Sequence, residues 1–140
     1  MLRFLSRKRS KKLIYMAKFN ILNKAEKVID YIMIITDKAP RKLRIDIIPE
    51  LRKVGLNIIK DIVYANYYVP CGDTAQVLLK KRSEYQIDAL INLDIVDVIS
   101  EVCLKRNYIT EHQFTYLSTL TYELRQMIKN WIDSDKKRYM

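Results

Sequence analysis

Residues that break helices are scarce in this chain. Its 140 residues include only two glycines and three prolines, while 49% of them are hydrophobic. A β-sandwich or β-barrel of this length needs many more turn residues than that. Apolar residues instead recur at spacings of three and four along most of the chain, which is the period of an amphipathic helix. The sequence therefore predicts an all-α fold built from a few long helices.

The first two predicted helices are separated by a proline. The first runs from about Asn20 or Asn23 to Asp37 and ends before Pro40, because the residue that precedes a proline is pushed out of helical geometry. The second is predicted to start at Pro40, whose fixed φ suits a first turn, and to continue to about Tyr68. Its apolar spacing continues past Pro49, so we predict a kink or a short break there, after which the helix continues.

The last two helices are predicted from their caps. Asp73, with Gln76 three residues later, is expected to cap a third helix that runs to about residue 106. The expected core stripe of this helix consists of Ile87, Ile91, Ile95, Val98 and Val102. Thr110 and Gln113 form a capping box for a fourth helix, which is predicted to end near Asp133.

Short connections make successive helices antiparallel neighbours. We therefore predict an up-down-up-down antiparallel four-helix bundle over residues 19–134, with a basic extension at 1–18 and a short basic tail at 135–140. The extension holds seven basic residues and no acidic one, which leaves +3 of the net charge of +10 for the rest of the chain. Such a tail is typical of nucleic-acid binding, and equally of a solvated extension.

The folded part of the chain has a charge asymmetry of its own. Residues 38–60 carry seven basic and two acidic side chains, whereas residues 83–101 carry acidic side chains and no basic one. A basic surface for the phosphate backbone is one interpretation. Attraction between opposite faces of separate copies, which gives a ring-like homo-oligomer, is the other. The candidate nucleic-acid contacts are Arg41, Lys42, Arg44, Arg52, Lys53 and Lys60.

Residues for catalysis or for a cofactor are not apparent in the sequence. His112 is the single histidine, the two cysteines fit neither a zinc site nor a disulfide framework, and no glycine-rich loop offers a phosphate cradle. We predict no enzyme activity, no metal and no cofactor. We also predict no membrane association and a cytoplasmic location, because no apolar run is long enough to span a bilayer and export signals are missing.

Aromatic residues add one more candidate surface. Tyr64, Tyr67 and Tyr68 cluster near the end of the second helix, in a chain with ten tyrosines. Tyrosines beside basic groups can stack on single-stranded nucleic acid, and they are also common at protein interfaces and in cores.

Several segments resemble a known family. The stretch "NILNKAEKVIDYIMIITDKAPRKLR", the motif "IVYAN", and the segment "ITEHQFTYLSTLTYELRQMIKNWI" with its Trp131 follow the pattern of small four-helix-bundle proteins, which include those encoded in 23S rRNA intervening sequences. Within that family the chain most resembles the accessory variability determinant (Avd) proteins of diversity-generating retroelements. The resemblance covers about residues 19–133 and contains no catalytic signature.

The resemblance implies a specific function. Avd proteins are basic homopentamers of four-helix bundles that associate with a reverse transcriptase and with template-repeat RNA, and they support mutagenic retrohoming. We accordingly expect a non-enzymatic accessory protein that binds RNA or DNA and a reverse transcriptase, and that forms a homo-oligomer, a pentamer by resemblance. The alternative is a protein-interaction or scaffold module of the intervening-sequence type.

Overall fold

A computed structural model describes the backbone of residues 2–42 and 45–140, and side chains from residue 20 onward except 43 and 44. Four helices account for most of it: α1 (Leu2–Asp37), α2 (Ile47–Tyr67), α3 (Ala75–Lys105) and α4 (Glu111–Tyr139), with a single 3-10 turn at Gly72–Thr74. No strand occurs in the described residues. The predicted all-α class with four helices is confirmed, and it is compatible with a four-helix bundle.

Each helix contacts two others: α1 contacts α2 and α4, and α3 likewise contacts α2 and α4. These contacts enclose one aliphatic core with side chains from all four helices. Its largest fully buried aliphatic side chains are Val28, Ile32, Leu51, Ile58, Ile62, Leu93, Val96, Leu117, Leu124 and Ile128. Burial of each such side chain contributes about 1.5–3 kcal/mol.

Gly55 lies where α2 approaches α1 closely. A Cβ atom at this position would lie 3.3 Å from Cγ1 of Ile29 and 3.4 Å from Cδ1 of Ile32. The missing side chain therefore lets the α2 backbone approach the core face of α1. Lys24 and Glu123 form an ion pair that links α1 to α4 on another side.

The prediction that the second helix starts at Pro40 is wrong. Residues 41–42 and 45–46 form turns, and α2 begins at Ile47. Pro49 is thus the third residue of α2, where the missing N–H group has no intrahelical partner to lose. A helix that started at Pro40 would drive the ring of Pro49 against the carbonyl group of Ile45, so the later start removes the predicted kink.

The predicted cap of the third helix is also wrong. Gly72 adopts a left-handed φ of 69° and Asp73 lies in the 3-10 turn, so α3 starts at Ala75. Thr74 precedes it as N-cap without a side-chain hydrogen bond. The prediction for α4 is confirmed at its start, where Gln113 N–H donates to Thr110 Oγ1 at 3.1 Å and Thr110 N–H donates to Gln113 Oε1 at 2.9 Å.

The end of α4 differs from the prediction. The helix continues past Asp133 to Tyr139, so the segment 135–140, which we predict as a basic tail, forms its last turns. At the other end of the chain, the α1 backbone is helical from Leu2 through the predicted basic extension. The division of the chain into these two segments and a bundle over residues 19–134 remains a prediction.

Candidate nucleic-acid interface and exposed apolar faces

Four of the six predicted nucleic-acid contacts are exposed. Arg41 and Lys42 lie in the turn between α1 and α2, and Lys53 and Lys60 lie on the outer side of α2. Neither Lys53 nor Lys60 has an ion-pair partner among the described residues. Arg44 lies outside the described residues.

Arg52 differs from the four exposed residues. Its Nε donates to Thr36 Oγ1 at 3.0 Å, and its Nη2 lies 3.0 Å from Oδ1 of Asp37, so the guanidinium group joins α2 to the end of α1. The side chain is partly buried, and the carboxylate offsets part of its charge. This contact ties Arg52 to the fold more than to a ligand.

The expected core stripe of α3 does not face the core. Ile87, Ile91, Ile95, Val98 and Val102, which we call the α3 face, are between 38% and 61% exposed. The buried side of α3 is more polar, and it consists of Arg82, Gln86, Ala89, Leu93, Val96, Ser100 and Cys103. The prediction is wrong because the large β-branched residues of the exposed side give the stronger apolar periodicity. The buried side contains small and polar residues, which weaken its apolar pattern.

Two groups of acidic side chains flank the α3 face, one with an ion-pair partner and one without such a partner among the described residues. On the side toward α4, Asp94 and Asp97 bind Nη2 of Arg125 at 3.0 and 2.6 Å, and Thr121 donates to Asp97 at 2.7 Å. Glu84 and Asp88, in contrast, are exposed and have no ion-pair partner in the described part of the chain. The rim of the α3 face therefore has unpaired negative charge.

Asp61 on α2 lies next to this acidic region. Burial raises the pKa of its carboxyl group, the hydrogen bond from Asn92 at 2.7 Å opposes that shift, and the negative charge of Asp88 reinforces it. A raised pKa means that this junction of α2 and α3 is a poor place for further negative charge.

The outer side of α2 carries a second apolar surface, which has basic rather than acidic neighbours. Leu56, Val63 and Tyr67 are exposed there beside Lys53 and Lys60, and we call these five residues the α2 face. Helical spacings of three and four place them along one side of α2.

The tyrosine cluster predicted at the end of α2 is extended by a residue from α3. The rings of Tyr64 and Tyr85 stack with centroids 4.9 Å apart, and those of Tyr68 and Tyr85 stack at 5.8 Å. Lys81 Nζ lies 5.3 Å from the centroid of the Tyr68 ring. The sequence does not reveal Tyr85 as a partner, because it is 17 residues or more from the other rings.

A buried polar network was missed by sequence reasoning. Arg82 binds Asp135 through two hydrogen bonds of 2.6 and 3.2 Å, and it donates a third to the carbonyl oxygen of Ala65 at 3.3 Å. Gln86 donates to the same carboxylate at 2.8 Å. The guanidinium group also lies over the ring of Trp131, 5.0 Å from its centroid. The network joins α2, α3 and α4 and satisfies the buried charges.

Side chains for catalysis are not brought together in the described residues. His112 is exposed in the first turn of α4, Cys71 is exposed, and Cys103 is buried. Burial raises the pKa of the Cys103 thiol, which disfavours the nucleophilic thiolate. Within the described ranges, no group of three or more histidine, cysteine, aspartate or glutamate side chains could hold a metal ion.

Comparison with known proteins leaves the site to be interpreted from its geometry. The chain matches no protein-family model and no curated protein. Across the described residues, none of the helices has the length and apolarity needed to cross a bilayer.

Proposed function

We propose that this protein is a non-enzymatic accessory factor that binds RNA or DNA and a reverse transcriptase in a diversity-generating retroelement. The observation that carries the nucleic-acid part is the group of exposed basic side chains at the α1–α2 turn and on α2. The step from nucleic acid to reverse transcription rests on the resemblance of residues 19–133 to Avd proteins. The proposal includes a homo-oligomer and a cytoplasmic location.

The proposed architecture is an up-down-up-down antiparallel bundle. Its support comes from contacts between opposite ends of successive helices. Arg52 near the start of α2 contacts Asp37 at the end of α1, and Arg82 near the start of α3 contacts Asp135 near the end of α4. Arg82 also donates to the carbonyl oxygen of Ala65 near the end of α2, which joins the start of α3 to the end of α2. The short connections agree with this topology.

The chemistry of this binding is electrostatic. Each cation that neutralises a phosphate releases condensed counterions, so the affinity falls steeply as salt rises. Arg41 and Lys42 are the best candidates because both lie in a turn, where side chains can reach a ligand without disturbing a helix. Lys53 and Lys60 extend the basic surface along α2, whereas Arg52 is already bound to Thr36 and Asp37.

The test is RNA binding measured across a salt series. We expect the wild-type chain to bind structured RNA at low salt, with a log–log slope that becomes shallower by roughly 0.7–0.9 for each phosphate contact removed. The variant Arg41→Ala with Lys42→Ala should lose up to two such contacts. Lys27→Ala with Lys129→Ala, which removes two exposed lysines from α1 and α4, is the matched control.

Two results would refute the nucleic-acid function. One is no RNA binding at low salt by the full chain. The other is an equal loss of slope in the turn variant and the control, which would mean that only net charge matters. The reverse transcriptase is tested separately: a reverse transcriptase encoded by a neighbouring gene should co-purify with this chain. A neighbouring gene of that kind, together with paired near-repeats, would support the family assignment.

A second function is favoured by the α3 face. Five aliphatic side chains on one outer side of a helix are unusual for a protein that works as a monomer, because large exposed apolar patches generally mark interaction sites. A scaffold or protein-interaction module of the 23S rRNA intervening-sequence type would use such a face. It predicts a defined assembly in solution and no dependence on nucleic acid.

A further inference from the structure

The α3 face is a continuous aliphatic strip with no cover from the described residues of this chain. From Ile87 to Val102 it extends along roughly 22 Å of helix at 1.5 Å per residue. Its five residues belong to the same helix that presents Leu93 and Val96 to the core. α3 therefore carries aliphatic side chains on two opposite sides, and only one of these sides is buried.

Nucleic acid does not suit this face. Glu84 and Asp88 are exposed beside it without ion-pair partners among the described residues, and the segment 83–101 has no basic side chain. A phosphate backbone would meet repulsion and would leave the aliphatic groups uncovered. The fitting partner is a protein surface that is apolar along its middle and basic at its edge.

This chain itself carries such a surface. The α2 face combines Leu56, Val63 and Tyr67 with two lysines, Lys53 and Lys60, which lack ion-pair partners in the described part of the chain. We propose that the α3 face of one copy docks on the α2 face of a second copy, so that aliphatic side chains meet and the lysines face Glu84 and Asp88. Within the assembly this contact occupies Lys53 and Lys60, so nucleic acid is left to Arg41 and Lys42 in the α1–α2 turn. The inference deepens the homo-oligomer of the proposed function by naming the two surfaces.

The two surfaces differ, so the contact is head-to-tail. Each copy then has one free α3 face and one free α2 face, and addition of copies continues until a ring closes. Burial of the aliphatic side chains supplies most of the affinity, while the opposite charges at the rim select the partner and its orientation. A contact that pairs two α3 faces would instead bring four unpaired carboxylates together.

The first experiment measures molecular mass by sedimentation velocity without nucleic acid. We expect the wild-type chain to sediment as an oligomer. Ile91→Asp with Val98→Asp should remove the α3 face, and Lys53→Glu with Lys60→Glu should reverse the charge of the α2 face; each double variant should sediment as a single chain. Ile34→Asp is the matched control, because Ile34 is 56% exposed on α1, outside both faces, and this variant should keep the wild-type mass.

The second experiment mixes the two double variants in equal amounts. Each retains one intact face, so a head-to-tail contact predicts a one-to-one complex with the mass of two chains and no larger species. A mixture that stays monomeric, while the wild-type chain is an oligomer, would overturn the pairing of α3 with α2. A wild-type chain that is monomeric at all concentrations would overturn the assembly itself.

Folding and RNA binding are controlled separately. Circular dichroism of each variant should match the wild type, since all the substituted side chains are at least partly exposed. If Ile91→Asp with Val98→Asp unfolds the chain, Ile91→Ser with Val98→Ser replaces it and should likewise sediment as a single chain. The RNA function is judged from the turn variant of Arg41 and Lys42, which leaves both faces intact. Failure of the salt series would therefore not be mistaken for failure of the assembly.

Discussion

Asp135 accepts hydrogen bonds from two buried side chains, Arg82 and Gln86, and the Arg82 guanidinium group is also satisfied by the carbonyl oxygen of Ala65. Removal of one member of such a pair is costly because the other stays buried and charged. Asp135→Asn should lower the free energy of unfolding by about 3–5 kcal/mol. Urea denaturation checks this value, with Asp133→Asn as control on the exposed side of α4.

A loss below about 1 kcal/mol would mean that water reaches Arg82 and solvates it. No local pattern predicts this pair. Its members are 53 residues apart in the sequence. A charged residue is therefore predicted to lie on the surface unless its partner is known. Reasoning from the sequence therefore places Asp135 in an exposed tail, whereas α4 continues past Asp135 to Tyr139 and the carboxylate binds Arg82 of α3.

At the scale of helices, local signals have mixed outcomes, since the start at Pro40 and the cap at Asp73 are wrong. The Thr110 capping box is confirmed, and a turn precedes it: Asn107 adopts a φ of 60° and Tyr108 N–H donates to the carbonyl oxygen of Cys103 at 2.8 Å. The prediction of which side of α3 faces the core is wrong, because it depends on the helices that pack against α3. Periodicity cannot tell which of two apolar sides of α3 meets the core, because an interaction face and a core face have the same spacing.

Gly55 provides a test of helix packing. Gly55→Ala should change the free energy of unfolding by less than about 1 kcal/mol, because a gain of about 1 kcal/mol in helix propensity is offset by crowding against Ile29 and Ile32. Gly55→Leu should destabilise the fold by about 1–3 kcal/mol through overpacking between α1 and α2.

Both Gly55 variants are measured by urea denaturation, and Lys129→Leu on exposed α4 surface is the control for the added side chain. A leucine at position 55 that leaves stability unchanged would show that α1 and α2 separate at little cost. The sequence indicates only that this glycine lies beside the apolar stripe of α2; the distances to α1 come from the fold.

For the whole molecule, assembly and stability are coupled. A partner that binds only the folded chain stabilises it by mass action, so the melting temperature of an oligomer depends on protein concentration. We expect a tenfold rise in concentration to increase the Tm of the wild-type chain by roughly 3–6 °C. The Tm of Ile91→Asp with Val98→Asp should not change over the same range, and Ile34→Asp should behave as the wild type. Differential scanning calorimetry at two concentrations measures all three, and a concentration-independent wild-type Tm would contradict the coupling.

The position of Asp135 also bears on how short the chain can be made. All the fully buried aliphatic side chains of the described residues lie before position 129, so a chain that stopped at residue 133 would keep that entire core. It would nevertheless leave Arg82 with no carboxylate to bind, beneath the ring of Trp131. The shortest chain that folds on its own must therefore include Asp135, because Arg82 needs its carboxylate. This end lies several residues beyond Ile128, where the buried aliphatic core ends.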